Sequence, residues 1–141
     1  MAEAFPHEPL QGRRILVVED IGLLAAGFEV ILKQAGADVA TALQLKAAER
    51  LAEQETLSGA LLDIRLNGDE IWSVARLLDQ KGVPFAFLSG HLDRDHLPEE
   101  WRGRPLLAKP ATARSIIDTV ASLFEGPARS HVLARRGGSE Q

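Results

Sequence analysis

Five residues that can do chemistry stand at the ends of apolar runs. Gly59-Ala60-Leu61-Leu62 ends in Asp63, and Arg13-Arg14-Ile15-Leu16-Val17-Val18 ends in Glu19-Asp20. Pro84-Phe85-Ala86-Phe87-Leu88 leads to Ser89, and Arg104-Pro105-Leu106-Leu107-Ala108 leads to Lys109. If the first and third runs are parallel neighbours, three carboxylates meet at one rim. Such acids repel: at an effective dielectric near 20, a pair about 4 Å apart costs on the order of 4 kcal/mol. They can share a site when some are protonated or when a cation sits among them. Hard oxygen donors without sulfur suit Mg²⁺, which keeps several of its waters. Two carboxylates and a backbone carbonyl would leave positions open for water and for a phosphoryl oxygen. A lysine beside a divalent cation makes sense when an anion arrives between them. Transfer of a phosphoryl group is mostly positioning and charge neutralisation, and a carboxylate is a competent acceptor. Ser89 adds a hydroxyl that can donate to a phosphoryl oxygen. The five residues together describe a site where Asp63 becomes phosphorylated.

These side chains need a scaffold that brings strand ends together. Residues 13–18 read as a strand. Ile21, Leu24, Ala25, Phe28, Ile31, Leu32 and Ala35 then recur in steps of three and four, one helical face closed by Gly36. Gly22, in the first turn, is expected to let backbone pass close to the acidic rim. Residues 37–42 alternate weakly, as an edge strand would. A helix over about 44–54 turns Leu45, Ala48, Leu51 and Ala52 inward. After the strand ending at Asp63, Asn67-Gly68 reads as a turn and Asp69 as the cap of a third helix. That helix runs to about Lys81, buries Ile71, Val74, Ala75 and Leu78, and stops at Gly82. Pro84 fits at the start of the next strand. Residues 91–103 are polar, with Leu92, Leu97 and Trp101 as apolar anchors. A fourth helix there is expected to be short or mobile, with Pro98 able to open it. His91, His96, Trp101 and Arg102 read as surface residues. Thr112 caps a last helix whose Ile116, Ile117, Val120 and Phe124 point inward.

Five strands alternating with five helices predict an α/β sandwich around a parallel sheet. Right-handed crossovers leave few strand orders. The flavodoxin-like order 2-1-3-4-5 sets the first and third strands side by side. The expected division is a flexible N-terminal arm (1–11), one folded domain (12–125) and a disordered C-terminal tail (126–141).

Composition narrows the function classes. The 141 residues are 45% hydrophobic, enough for a core without staples. With no cysteine, disulfides, thiolate metal sites and cysteine nucleophiles are excluded. A formal charge of -4 argues against nucleic acid as the main partner. No apolar run approaches the roughly 20 residues of a membrane span, and the first residues lack the basic-then-apolar order of a signal peptide. A cytoplasmic protein is expected.

The motifs Ile15-Leu16-Val17-Val18-Glu19-Asp20, Leu61-Leu62-Asp63, Phe87-Leu88-Ser89-Gly90 and Lys109-Pro110 occur in this order. With them, residues 12–125 resemble the receiver domain of bacterial two-component response regulators. The stretch Pro84 to Lys109 also resembles single-domain receivers of alphaproteobacteria. The resemblance implies the flavodoxin-like (βα)5 fold and transfer of a phosphoryl group from a phosphohistidine of a sensor kinase, or from a phosphotransfer protein, to Asp63. It implies Mg²⁺ held by Asp20, Asp63 and the carbonyl of Arg65, with Glu19 acting mainly through water. Ser89 and Lys109 would bind the phosphoryl group and report its arrival. The chain departs from the family at Leu106, where Phe or Tyr is usual, and at Arg65-Leu66-Asn67, where Met-Pro often follows the acceptor. Arg65 and His91 occupy positions that tune phosphate lifetime in the family, and Arg65 is expected to shield the acyl phosphate or pair with it.

No output domain is expected after residue 125. The phosphorylated state would then be read by another protein through protein-protein contacts, or the chain would act as a phosphate shuttle or sink. The expectation is a stand-alone phosphoacceptor, monomeric or weakly dimeric, and not an enzyme. One alternative is a phosphate-independent pseudo-receiver. Another is a haloacid-dehalogenase-like phosphatase, which needs a second acid two residues after the nucleophile, where this chain has Arg65. A nucleotide or flavin binder would want a glycine-rich loop after the first strand, and there is none.

Overall fold

The structure, a computed structural model, describes residues 8–90 and 97–125. Apolar runs of the sequence become strands β1 (Arg14–Val18), β2 (Asp38–Ala42), β3 (Gly59–Asp63), β6 (Phe85–Ser89) and β7 (Leu106–Ala108). They pair in parallel in the order β2-β1-β3-β6-β7, which is the expected order 2-1-3-4-5 counted on this sheet alone. A second, two-stranded ladder, β4 (Arg65–Leu66) with β5 (Asp69–Glu70), lies between β3 and the next helix.

Side chains alternate across the sheet with a period of two. Leu16, Val18, Ala60, Leu62, Phe85 and Phe87 join one core cluster with α2 (Leu45–Gln54) and α3 (Trp72–Gln80). Ile15, Val17, Leu61, Ala86, Leu88 and Leu107 join the other with α1 (Gly22–Gln34) and α4 (Ala113–Ser122). Every residue of β3 and β6 is buried, as central strands covered on both faces require. Thr112 caps α4, its Oγ1 accepting from the Ser115 N–H at 3.0 Å. No helix among the described residues is long and apolar enough to cross a membrane.

Several sequence expectations need correction. Residues 8–11 were expected in a loose arm, yet Leu10 is fully buried and its N–H donates to the Ala35 carbonyl. The segment lies so close to Gly36 (φ +101°) that a Cβ there would stand 2.8 Å from Glu8 Cβ. Residues 1–7 and 126–141 lie outside the described residues. Asp69 does not cap α3. Asn67 and Gly68 take φ of +50° and +87°, a two-residue hairpin turn that puts Asp69 into β5. Helix α3 then starts after Ile71, without a side-chain cap. Gly22 has no close neighbour, its missing Cβ facing only Leu43 Cδ1 at 4.0 Å, so no close backbone approach explains it. The described residues hold four α-helices. In the 91–103 stretch the described part is one 3₁₀ turn, Glu99–Trp101, opened by Pro98; His91, Leu92 and His96 lie outside the described residues. Trp101 is buried against Phe85 and Phe87, which fits its reading as an apolar anchor of this stretch and corrects its reading as a surface residue.

The stripe on α1 is also covered differently. Ala25, Phe28 and Leu32 are buried, but Ile21 and Leu24 are 52% and 39% exposed. The first turn of α1 faces the loop after β7 across an apolar groove of about 440 Å³, lined by Ile21, Leu24, Phe28, Gly90, Lys109, Pro110 and Ala111.

Candidate functional site

The strand order brings the chemistry-bearing ends together. β1 and β3 are neighbours with Val18 level with Leu62, so Glu19, Asp20 and Asp63 emerge side by side. One carboxylate oxygen from each lies within 4.8 Å of the others. β6 flanks β3 on the far side and delivers Ser89, which is buried. β7 follows, and the Lys109 N–H donates to the Ser89 carbonyl at 2.8 Å. From that outer position the Lys109 side chain reaches back across β6. Its Nζ donates to Asp63 Oδ2 and to Glu19 Oε1, each at 3.0 Å.

Each carboxylate is held in its own way. Glu19 is fully buried, and its Oε2 accepts from the Ile21 N–H at 3.1 Å. Burial pushes its carboxyl above the usual range, and the charge of Asp63 adds to this; the Ile21 N–H and Lys109 act the other way. For Lys109, burial works to lower the ammonium, but the hydrogen bonds to Asp63 and Glu19 outweigh it and hold it above its ordinary value. Asp20 is half-buried and its Oδ2 accepts from the Asn67 N–H at 2.9 Å. Asp63 Oδ1 lies 3.4 Å from the Arg65 N–H. Together Asp20, Asp63, Ile64, Arg65, Ser89, Gly90 and Lys109 line a cleft of about 180 Å³.

Glu19, Asp20, Asp63, Ser89 and Lys109 thus converge, with Arg65 at the mouth. Three carboxylates offset by one ammonium leave an uncompensated negative charge, and the donors are hard oxygens. That set fits Mg²⁺. The hairpin contact to Asp20 was not anticipated, although Asn67-Gly68 is the dipeptide that favours a two-residue hairpin.

A five-stranded parallel sheet with acids at the ends of the neighbouring strands β1 and β3 and helices on both faces is a flavodoxin-like fold, with its cleft at the carboxyl ends of the strands. No family model matches the sequence, and no curated protein does. Solved structures do. SdrG from Sphingomonas melonis Fr1 is 31% identical, with 83% of this chain aligned to 98% of that one at a TM-score of 0.70. A response regulator receiver protein from Sinorhizobium medicae WSM419 is 27% identical over 81% of this chain and 95% of its own, with a TM-score of 0.68. The response regulator PhyR from Brucella abortus, 23% identical, shares the fold over 92% of this chain and 56% of its own at a TM-score of 0.72. The chain belongs to the response regulator receiver domains.

Proposed function

We propose that residues 12–125 form a phosphoacceptor domain that takes a phosphoryl group from a histidine kinase or a phosphotransfer protein onto Asp63 and signals through protein contacts. The observation that carries this reading is the Lys109 ammonium, 3.0 Å from both Asp63 and Glu19 at the wall of an open cleft. Glu19, Asp20, Asp63 and the carbonyl of Arg65 would hold Mg²⁺. The ion supplies positive charge that offsets the carboxylates and the charge on the phosphoryl oxygens.

The chain's own residues do the rest. An Asp63 carboxylate oxygen attacks phosphorus, the P–N bond to the donor imidazole breaks, and the neutral imidazole leaves after taking a proton from solvent. Lys109 then pairs with a phosphoryl oxygen in exchange for part of its hold on Asp63. Ser89 donates its hydroxyl to another. Exposed Arg65, at the mouth, screens the acyl phosphate from water. The groove beside α1 shares Gly90 and Lys109 with the cleft, so a donor seated over the site covers Ile21 and Leu24. Burying those side chains supplies the apolar part of such an interface.

Incubation with acetyl phosphate or beryllofluoride tests the reading. Expected is stoichiometric, Mg²⁺-dependent labelling that disappears in Asp63→Asn. Turnover of a generic phosphate ester would instead mean a phosphatase. No response to either reagent would mean a module read without phosphate.

A further inference from the structure

The chain from Arg65 to Glu70 forms a hairpin, and the hairpin grips the acidic rim. Positive φ at both Asn67 and Gly68 is the signature of a type I′ turn. Such a turn aims the Asn67 N–H outward, where it donates to Asp20 Oδ2 at 2.9 Å. The Asn67 side-chain amide donates to the Leu43 carbonyl, just past β2, at 3.4 Å. At the base of the hairpin, the Arg65 N–H faces Asp63 Oδ1 at 3.4 Å. One hairpin thus touches acids from two different strands.

Asp20 needs that contact more than its neighbours do. Glu19 and Asp63 are buried and tied to Lys109. Asp20 is half-buried and has no ion pair among the described residues. With Oδ2 engaged, its other oxygen has no hydrogen-bond partner among the described residues.

We propose that Asn67 is a positioning residue: its backbone N–H, presented by the left-handed turn, fixes the Asp20 carboxylate in the orientation a divalent cation requires. The proposal rests on the metal site proposed above and concerns what holds one of its ligands. Its consequence is specific. The handedness of the turn matters, and the asparagine amide does not. Glycine at position 67 accepts positive φ freely and keeps the N–H in place. A β-branched residue resists that conformation and displaces the N–H. Groups that orient a metal ligand from behind are worth about 10–100-fold in metal affinity, and a neutral N–H at a partly exposed site belongs at the low end.

The test is a Mg²⁺ titration of the full chain, followed by amide NMR, on the wild type, Asn67→Gly and Asn67→Val. Expected is binding by Asn67→Gly within about twofold of wild type and by Asn67→Val about tenfold weaker. A second measurement needs no change in the hairpin and no metal. In Asp20→Ala, the Asn67 amide is expected to lose its protection against hydrogen exchange. Asn67→Val binding Mg²⁺ as tightly as wild type, or an Asn67 amide indifferent to Asp20→Ala, would overturn the proposal. A wild type that binds no Mg²⁺ would overturn the metal site and this role with it, a result distinct from either of those.

Discussion

Replacing Lys109 with methionine is expected to weaken the fold and strengthen its hold on Mg²⁺ together. Methionine keeps nearly the length of lysine and removes its charge. In the wild type, Nζ lies 3.0 Å from an oxygen of each of two acids, and the Lys109, Glu19 and Asp63 side chains are only 16%, 0% and 7% exposed. Removing one partner of a buried ion pair costs about 3–5 kcal/mol. Repulsion between the two acids left behind, about 4 kcal/mol for charges roughly 4 Å apart at an effective dielectric of 20, falls in the same range. For a domain of this size, a loss of about 3–5 kcal/mol lowers the melting temperature by roughly 10–20 °C.

The pH dependence of that loss has a definite sign. Burial first, and the charge of Asp63 after it, raise the Glu19 carboxyl. A group raised on folding stabilises the native state fully below its unfolded value, about 4.3 for glutamate, and that contribution fades as pH rises through the folded value. Without Lys109 the carboxyl rises further, so the deficit is expected to be smaller near about pH 5 than near about pH 8. Lys109 is itself raised, so its stabilisation in the wild type persists up to its unfolded value near about 10.4 and is lost only above it. Mg²⁺ at about 100 times its dissociation constant returns about 2.7 kcal/mol, and the variant, with more uncompensated charge, reaches that point at a lower concentration. Melts followed by circular dichroism in EDTA and in Mg²⁺ at the two pH values decide the matter. A variant melting within about 3 °C of wild type in EDTA near about pH 8, or a larger deficit on acidification, would refute the reasoning.

Three further outcomes are expected. Arg65→Ala opens the mouth of the cleft, so phosphate on Asp63 is lost several-fold faster once the donor is removed; an unchanged decay rate counts against shielding by Arg65. Leu24→Asp places a charge in the apolar groove on an already exposed position, so stability changes by less than about 0.5 kcal/mol. Labelling by acetyl phosphate stays at the wild-type level while transfer from a phosphohistidine donor slows about tenfold, and equal slowing with both donors would place the defect in the cleft instead. Phe87→Ala removes the fully buried ring that meets Phe85, Trp72 and Trp101 at centroid distances of 5.4, 5.7 and 6.5 Å. Calorimetry is expected to register a loss of about 3–5 kcal/mol.

What sequence reasoning reached and what it missed divide along a physical line. The apolar runs around Val17, Leu61 and Phe87 are continuous because those strands are buried on both faces. Once they are strands, crossover handedness leaves few orders, and the meeting of Glu19, Asp20, Asp63 and Lys109 follows. The misses came where contact is made across the chain and leaves no local period. Trp101 sits in a polar stretch, and only its approach to Phe85 and Phe87 on a neighbouring strand buries it. The β4–β5 ladder pairs two residues with two, too short for alternation to show, so Asp69 read as a helix cap. Ile21 and Leu24 lie on the stripe that also carries Phe28, and a period of 3.6 assigns all three to the core. The stripe outruns the core, because Ile21 and Leu24 line the open groove opposite Pro110 and Ala111. In a parallel sheet each helix starts at the rim where the strands end, so the first turn of α1 lies beside the site, and its groove shares Gly90 and Lys109 with the cleft. An apolar first turn there leaves Ile21 and Leu24 exposed on the groove, the surface that the donor proposed above would cover.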